Sequence, residues 1–281
     1  MHGLGLSRRT WDAVVPHLIG EREVIAIDLP GFGLSPDWPA GLRQDLPTTA
    51  TVLGAAFTAL GIEHPHVAGH SLGGLVGLGL GQAGLARSVT ALAPAGFWNE
   101  AERRYAFAVL ATARRISQTV PDGAAEWLSA TAAGRAILAG MLYADPTQCP
   151  PGAVTACLRS LRESAGFDAT LRAGRAHGLL SGQIPGIPLT IVWGTADRVL
   201  LPRQARRAIA MLPQAQLIWL PGCGHVPMND APELVADVIL QATGPDVAVP
   251  RADADATASY TKQGASAEHM AGDSDPGDDD M

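Results

Sequence analysis

Gly69-His70-Ser71-Leu72-Gly73 is the strongest chemical signal in the chain. A serine hydroxyl is a weak nucleophile at neutral pH and needs a base, itself held by an orienting acid. The pentapeptide has the form G-x-S-x-G, and its surroundings give that form meaning. A strand-like run, His66 to Ala68, precedes it, and a Gly-rich apolar segment of helical character begins at Leu72. On a strand–turn–helix bend of this kind the serine is strained and its hydroxyl exposed, and small residues such as Gly69 and Gly73 let neighbouring backbones pass closely. The following helix points free N-terminal amides at the site, where negative charge develops on an oxygen. With 32 glycines in the chain, a Gly-rich turn holding an incidental serine is the competing explanation. Two further residues decide between them. Asp197 ends Gly194-Thr195-Ala196-Asp197, just past the run Pro188 to Gly194, and His225 ends Pro221-Gly222-Cys223-Gly224-His225, just past Leu217 to Leu220. Both sit at C-terminal ends of strands, where open parallel sheets carry their sites. Either residue alone would be an ordinary loop residue. Together, in the order acid then histidine, they point to Ser71 as nucleophile, His225 as base and Asp197 as orienting acid.

The elements that must position these residues alternate. Strand-like runs at Glu23 to Asp28, His66 to Ala68, Val89 to Leu92, Pro188 to Gly194 and Leu217 to Leu220 are interleaved with helical patterns. Helices are predicted at Thr48 to Leu60, Leu72 to Leu85, Arg203 to Leu212 and Ala231 to Ala242, the last after the N-cap pair Asn229-Asp230. This rhythm predicts an α/β fold with a mostly parallel sheet and helices on both faces. From Phe97 to Gly182 no strand is legible and Ala-, Arg- and Leu-rich helical patterns dominate, as in an inserted helical lid. The predicted organisation is a core from residues 1–96 and 183–243, a lid at 97–182 and a disordered acidic tail at 244–281.

At this level of detail the chain resembles the α/β-hydrolase family. Ser71, Asp197 and His225 are similar to its triad, His2-Gly3-Leu4-Gly5 to its His-Gly loop, and Asp28-Leu29-Pro30-Gly31-Phe32-Gly33-Leu34-Ser35 to its Asp-x-Pro-Gly-x-Gly-x-Ser turn. The resemblance runs from Met1 to about Ala242. It implies that the backbone N–H groups of Leu4 and Leu72 form an oxyanion hole, and that Asp28 and Ser35 stabilise a turn. In the family the His-Gly loop ends a third strand with two strands before it, so the resemblance also implies roughly 25 residues upstream of Met1. Without that third strand, the runs ending at Asp28 and at Ala68 would each expose an unpaired edge or close up on each other.

Composition removes several alternatives. The chain has 281 residues, 47% of them hydrophobic and 17% charged, enough for a sizeable core. Its formal charge of −7 is local, because nine acids against two bases follow Pro245 while 18 acids and 18 bases cancel elsewhere. A neutral body with 5% aromatics offers neither a phosphate-binding stripe nor a base-stacking platform, so no nucleic-acid partner is expected. No 18-residue apolar stretch occurs, so no membrane partner is expected. Ser7-Arg8-Arg9-Thr10-Trp11 superficially resembles a twin-arginine signal, but Pro16, His17, Glu21 and Glu23 interrupt the position of its apolar region. Three cysteines without framework spacing (Cys149, Cys157, Cys223) fit reduced thiols in a cytoplasm.

Weaker patterns have plainer explanations. Gly79-Leu80-Gly81-Gln82-Ala83-Gly84 matches a dinucleotide fingerprint but lies inside a predicted helix. His64, His66 and His70 are too differently placed to converge on a metal. Trp98, Trp127 and Met141 would line an acyl pocket or pack lid against core. The paired arginines Arg103, Arg104, Arg114 and Arg115 read as mostly a solvated face. The expected activity is hydrolysis of a small or medium carboxylic ester, lactone or thioester through an acyl-enzyme, with a small-molecule partner and no cofactor or metal. Acyl transfer on the same triad and non-catalytic ligand binding are the alternatives.

Overall fold

The computed structural model describes residues 1–175, 180, 183–184 and 186–244. The chain divides into a unit Met1–Val249 and a unit Pro250–Met281, and the second lies outside the described residues, as does the expected tail from 245 onward.

Four strands, β1 (His66–His70), β2 (Ser88–Leu92), β3 (Leu189–Gly194) and β4 (Gln216–Leu220), form one sheet in sequence order. All three pairings are parallel, with Gly69 opposite Ala91, Leu92 opposite Val192 and Gly194 opposite Leu220. Parallel sheets are covered on both faces, and alternation along β2 and β3 divides the core accordingly. Val89, Ala91, Leu189, Ile191 and Trp193 pack with α1 (Leu46–Ala59), α2 (Leu72–Gln82) and α8 (Arg203–Met211). Leu92 and Val192 face Val235, Val238 and Ile239 of α10 (Pro232–Ala242), together with Trp11 and Val14. Asp45 starts α1 by accepting from Thr48 N–H at 2.9 Å.

Among the described residues of 97–182 there are only helices: α3 (Glu100–Thr119), α4 (Asp122–Ser129), α5 (Ala132–Ala139), α6 (Pro151–Glu163) and α7 (Phe167–Ala173). Asn99 and Glu102 form a reciprocal capping box at the start of α3. The same Glu102 carboxylate, almost fully buried, binds Arg203 and Arg207 of α8 and so pins α3 to the core. Burial alone would raise its pKa, but the Asn99 N–H and the two guanidinium groups outweigh burial and hold it below the usual value. The paired arginines are not all solvent-facing. Arg114 caps the carbonyls of Leu161 and Ser164 and lies 5.3 Å above the Phe167 ring.

Two expectations differ from the structure. Glu23 to Asp28 is not a strand. On the side of β1 away from β2, the ladder partner is Met1, whose amine donates to Ala68 O at 2.7 Å while His70 N–H donates to Met1 O at 3.0 Å. Between β1 and segment 22–27 lies a cavity of about 480 Å³ bordered by Ile25, Ile27, Phe57 and Val67. Among the described residues no backbone hydrogen bond joins this segment to β1. Asn229-Asp230 likewise does not cap α10. These residues belong to a short helix, α9 (Pro227–Asp230), and α10 starts after Ala231 without a side-chain cap.

Candidate active site

β1 delivers its last residue into a bend that the backbone disfavours. Ser71 has φ 53° and ψ −111°, and α2 begins at the next residue. A non-glycine residue in that region costs about 1–3 kcal/mol and persists only where its surroundings fix it. Here Ser71 N–H donates to Leu92 O at 2.8 Å, and Ser71 O accepts from Leu75 and Ala95 at 3.1 Å each. The close passage expected at the flanking glycines is present. A Cβ on Gly69 would lie 2.1 Å from Gly73 O, and one on Gly73 would lie 2.6 Å from the carbonyl oxygens of Met1 and His2.

The His2–Gly5 loop lies over this bend. Gly73 N–H donates to His2 O at 3.1 Å, and a Cβ on Gly3 would stand 3.2 Å from Ser71 Cβ. Leu4 follows within a turn closed by Leu6 N–H on Gly3 O. Leu72 occupies the first position of α2, where a helix N–H has no partner within the helix. Leu72 therefore directly follows Ser71, and Leu4 follows Gly3, which packs against Ser71. His2 itself is buried and neutral. Its Nε2 accepts from Leu29 N–H at 2.9 Å, which leaves Nδ1 to donate to Gly3 O at 2.8 Å. Burial pushes its pKa down to about 4.

Asp197 and His225 meet across the loops that follow β3 and β4. His225 Nδ1 lies 2.8 Å from Asp197 Oδ2, and both residues are 3% exposed. Asp197 Oδ1 accepts from Val199 N–H at 2.8 Å and Leu200 N–H at 2.9 Å, so both carboxylate oxygens are engaged. The loops are joined by Thr195 N–H on Leu220 O and Ala196 N–H on Cys223 O. A carboxylate facing Nδ1 selects the tautomer with the proton there and leaves Nε2 a lone pair.

His70 ties this pair to the bend. Its fully buried Nε2 lies 2.7 Å from His225 O, and the two rings are 4.7 Å apart between centroids. A carbonyl needs a donor, so His70 carries its proton on Nε2. Burial first, and the neighbouring His225 second, hold its pKa well below the usual value. Sequence reasoning placed His70 inside the bend between Gly69 and Ser71, set it aside as a metal ligand and missed this contact. The missed signal is a polar ring inside an otherwise small and apolar turn. Asp28 accepts from Leu34 N–H at 3.0 Å and from Arg8 N–H at 2.6 Å, while Ser35 Oγ donates to Asp28 O at 2.7 Å, which makes both turn residues.

A cavity of about 560 Å³ opens beside Leu72, with Leu29, Phe32, Trp38 and Leu75 in its wall and Arg43 and Arg172 among its polar lining. Its described lining does not include Ser71, Asp197 or His225. Trp98 stacks edge-on against Phe107, whereas Trp127 is 71% exposed. His66 pairs with Ser88 Oγ, and among the described residues no group of three His, Cys, Asp or Glu side chains is placed to hold a metal ion. Among the described residues no helix is long and apolar enough to cross a membrane.

Comparison with known proteins agrees with this architecture. Residues 1–238 match the model of the alpha/beta hydrolase family. The chain is 31% identical over 255 residues to the dihydrolipoyllysine-residue acetyltransferase component of an acetoin cleaving system from Pseudomonas putida, covering 85% of this chain but 61% of that protein. It is 31% identical over 193 residues to an epoxide hydrolase of Mycobacterium tuberculosis, covering 64% of this chain and 86% of that one. It is 27% identical over 263 residues to a pimeloyl-[acyl-carrier protein] methyl ester esterase of Aromatoleum aromaticum, covering 85% and 96% respectively.

Proposed function

Because the chain belongs to the alpha/beta hydrolase family, we propose that it hydrolyses a small or medium carboxylic ester through an acyl-enzyme on Ser71. The observation that carries this reading is the buried His225–Asp197 pair held to the Ser71 bend through His70. Ser71 Oγ attacks the ester carbonyl carbon as His225 Nε2 takes its proton. The tetrahedral oxyanion is bound by the N–H groups of Leu4 and Leu72, and losing one such donor typically costs about 3 kcal/mol of barrier stabilisation. His225 returns the proton to the leaving alcohol as the C–O bond breaks. Water then repeats the sequence, releasing the acid and free Ser71, while Asp197 holds the imidazole tautomer throughout.

Residues 97–182 serve as a lid over the site, and the substrate is a small molecule. The methyl ester esterase among the relatives supports ester chemistry. A serine at position 71 favours acyl chemistry over epoxide opening, which relatives in this family run through an aspartate there. The acetyltransferase named among the relatives supports a second reading, in which an alcohol or thiol replaces water as acceptor.

Labelling with a fluorophosphonate probe, read by mass spectrometry, together with turnover of a p-nitrophenyl ester tests the proposal. The label is expected on Ser71, and Ser71→Ala and His225→Ala should each lower turnover by about a thousandfold or more. Product partition with a competing alcohol separates hydrolysis from transfer. Folded protein that takes no label and turns over no ester would leave ligand binding without catalysis as the better account, and a His225→Ala variant with unchanged turnover would remove His225 as the base.

A further inference from the structure

The backbone around His225 is held at three successive polar groups. His225 O accepts from the His70 ring, Gly224 N–H donates to Asp230 Oδ2 at 2.7 Å, and Val226 N–H donates to Leu142 O at 3.0 Å. The last of these contacts reaches the segment between α5 and α6. The same Asp230 carboxylate accepts from Ala144 N–H, at 3.2 Å to Oδ2 and 3.3 Å to Oδ1. Asn229 Nδ2 donates to the buried Tyr143 hydroxyl at 3.1 Å. The two backbones touch at Gly224, where a Cβ would stand 2.7 Å from Ala144 N and 2.8 Å from Tyr143 C. Asp230 is not spent on capping, since α10 begins beyond Ala231 without a side-chain cap.

We propose that Asp230 is a positioning residue that latches the His225 loop to segment 142–144, so that seating this part of the helical insertion and seating the base are one event. The proposal rests on the reading of His225 as the base. One carboxylate divided between two backbone N–H groups, one on each segment, transmits displacement of either to the other. A shift of 142–144 withdraws the carbonyl from Val226 N–H and pulls, through Ala144 N–H, on the carboxylate that holds Gly224 N–H, so it acts on the residues on either side of His225. Movement of the insertion on substrate entry or product release would then take the imidazole out of line with Ser71. Conformational steps of this kind set the turnover of many enzymes.

Asp230→Ala and Asp230→Asn test the latch by two independent readouts. In Asp230→Ala, kcat per fluorophosphonate-labelled site should fall by up to about a hundredfold with KM changed little, the signature of a misplaced catalytic group. Asn keeps one acceptor oxygen and should fall between wild type and Ala. Amide hydrogen exchange in the peptides spanning 142–144 and 224–226 should rise together in the variants, with β2 unchanged. The proposal is overturned if exchange rises at 224–226 alone, or if kcat per labelled site stays within about twofold of wild type. Should Asp230→Ala not fold, Asp230→Asn gives both readouts at smaller amplitude. Wild-type protein without label or turnover counts against the hydrolase reading, while the exchange pattern still decides the latch.

Discussion

Asp197 divides its two oxygens between tasks, one on the His225 ring and the other on the N–H groups of Val199 and Leu200. This division predicts the result of Asp197→Asn. The two backbone donors fix the amide oxygen on their side, which turns the amide NH2 toward His225 Nδ1. The ring must then accept at Nδ1 and carry its proton on Nε2, where it cannot receive one from Ser71. In the proposed reaction kcat should fall about 10⁴-fold. The fold keeps its backbone acceptor, so thermal unfolding should change little, and kinetics beside a melting curve check both halves. A variant that retains activity would mean that the 2.8 Å pair is structural.

Between elements, the decisive feature is how closely the loops after β3 and β4 cross. A Cβ on Gly194 would stand 2.4 Å from Cys223 O and 2.5 Å from Gly224 O, both backbone atoms of the histidine loop. Gly194→Ala must therefore push residues 223–225 away from Asp197. Overpacking of this kind costs about 1–3 kcal/mol of stability, and in the proposed reaction displacing His225 should lower kcat by about 10- to 100-fold. Denaturant titration and steady-state kinetics on the same variant would measure the two effects, and wild-type values in both would show that the loop yields freely. The strand ends here are readable in the sequence, because Leu189 to Trp193 and Leu217 to Leu220 are nearly continuous apolar runs. The crossing is not readable, because a glycine ending a strand looks the same whether or not another backbone passes over it. The opposite failure occurs at Glu23 to Asp28, where strand-like composition found no neighbouring strand to pair with.

For the whole molecule, two buried neutral histidines contribute to the loss of stability in acid. His2 is pushed down to about 4 and His70 is also lowered. A histidine whose native pKa lies below its unfolded value near 6.5 contributes stability that is fully present above about pH 6.5. That stability is lost as the pH falls toward 4, because the unfolded chain takes up the proton first. For His2 the loss amounts to about 3 kcal/mol, and His70 adds in the same direction. Urea unfolding at about pH 7 and about pH 4.5 should show the decline, and His2→Gln should flatten its slope. Equal slopes for the variant and wild type would remove His2 as the cause.

Ser71, Asp197 and His225, their order, and the strands ending beside them were all legible in the sequence, because each depends on local pattern: turn glycines, apolar runs and chain order. The His2–Gly5 loop was legible only through its likeness to a family. What the tertiary structure decided was which long-range partners the polar groups take. Those are His70 on the His225 carbonyl, Asp230 divided between Gly224 and Ala144 instead of capping α10, and Glu102 pinned under two arginines of α8. A polar side chain has the same propensity whichever buried donor or acceptor it meets. Only when the chain has folded does desolvation make one partner obligatory.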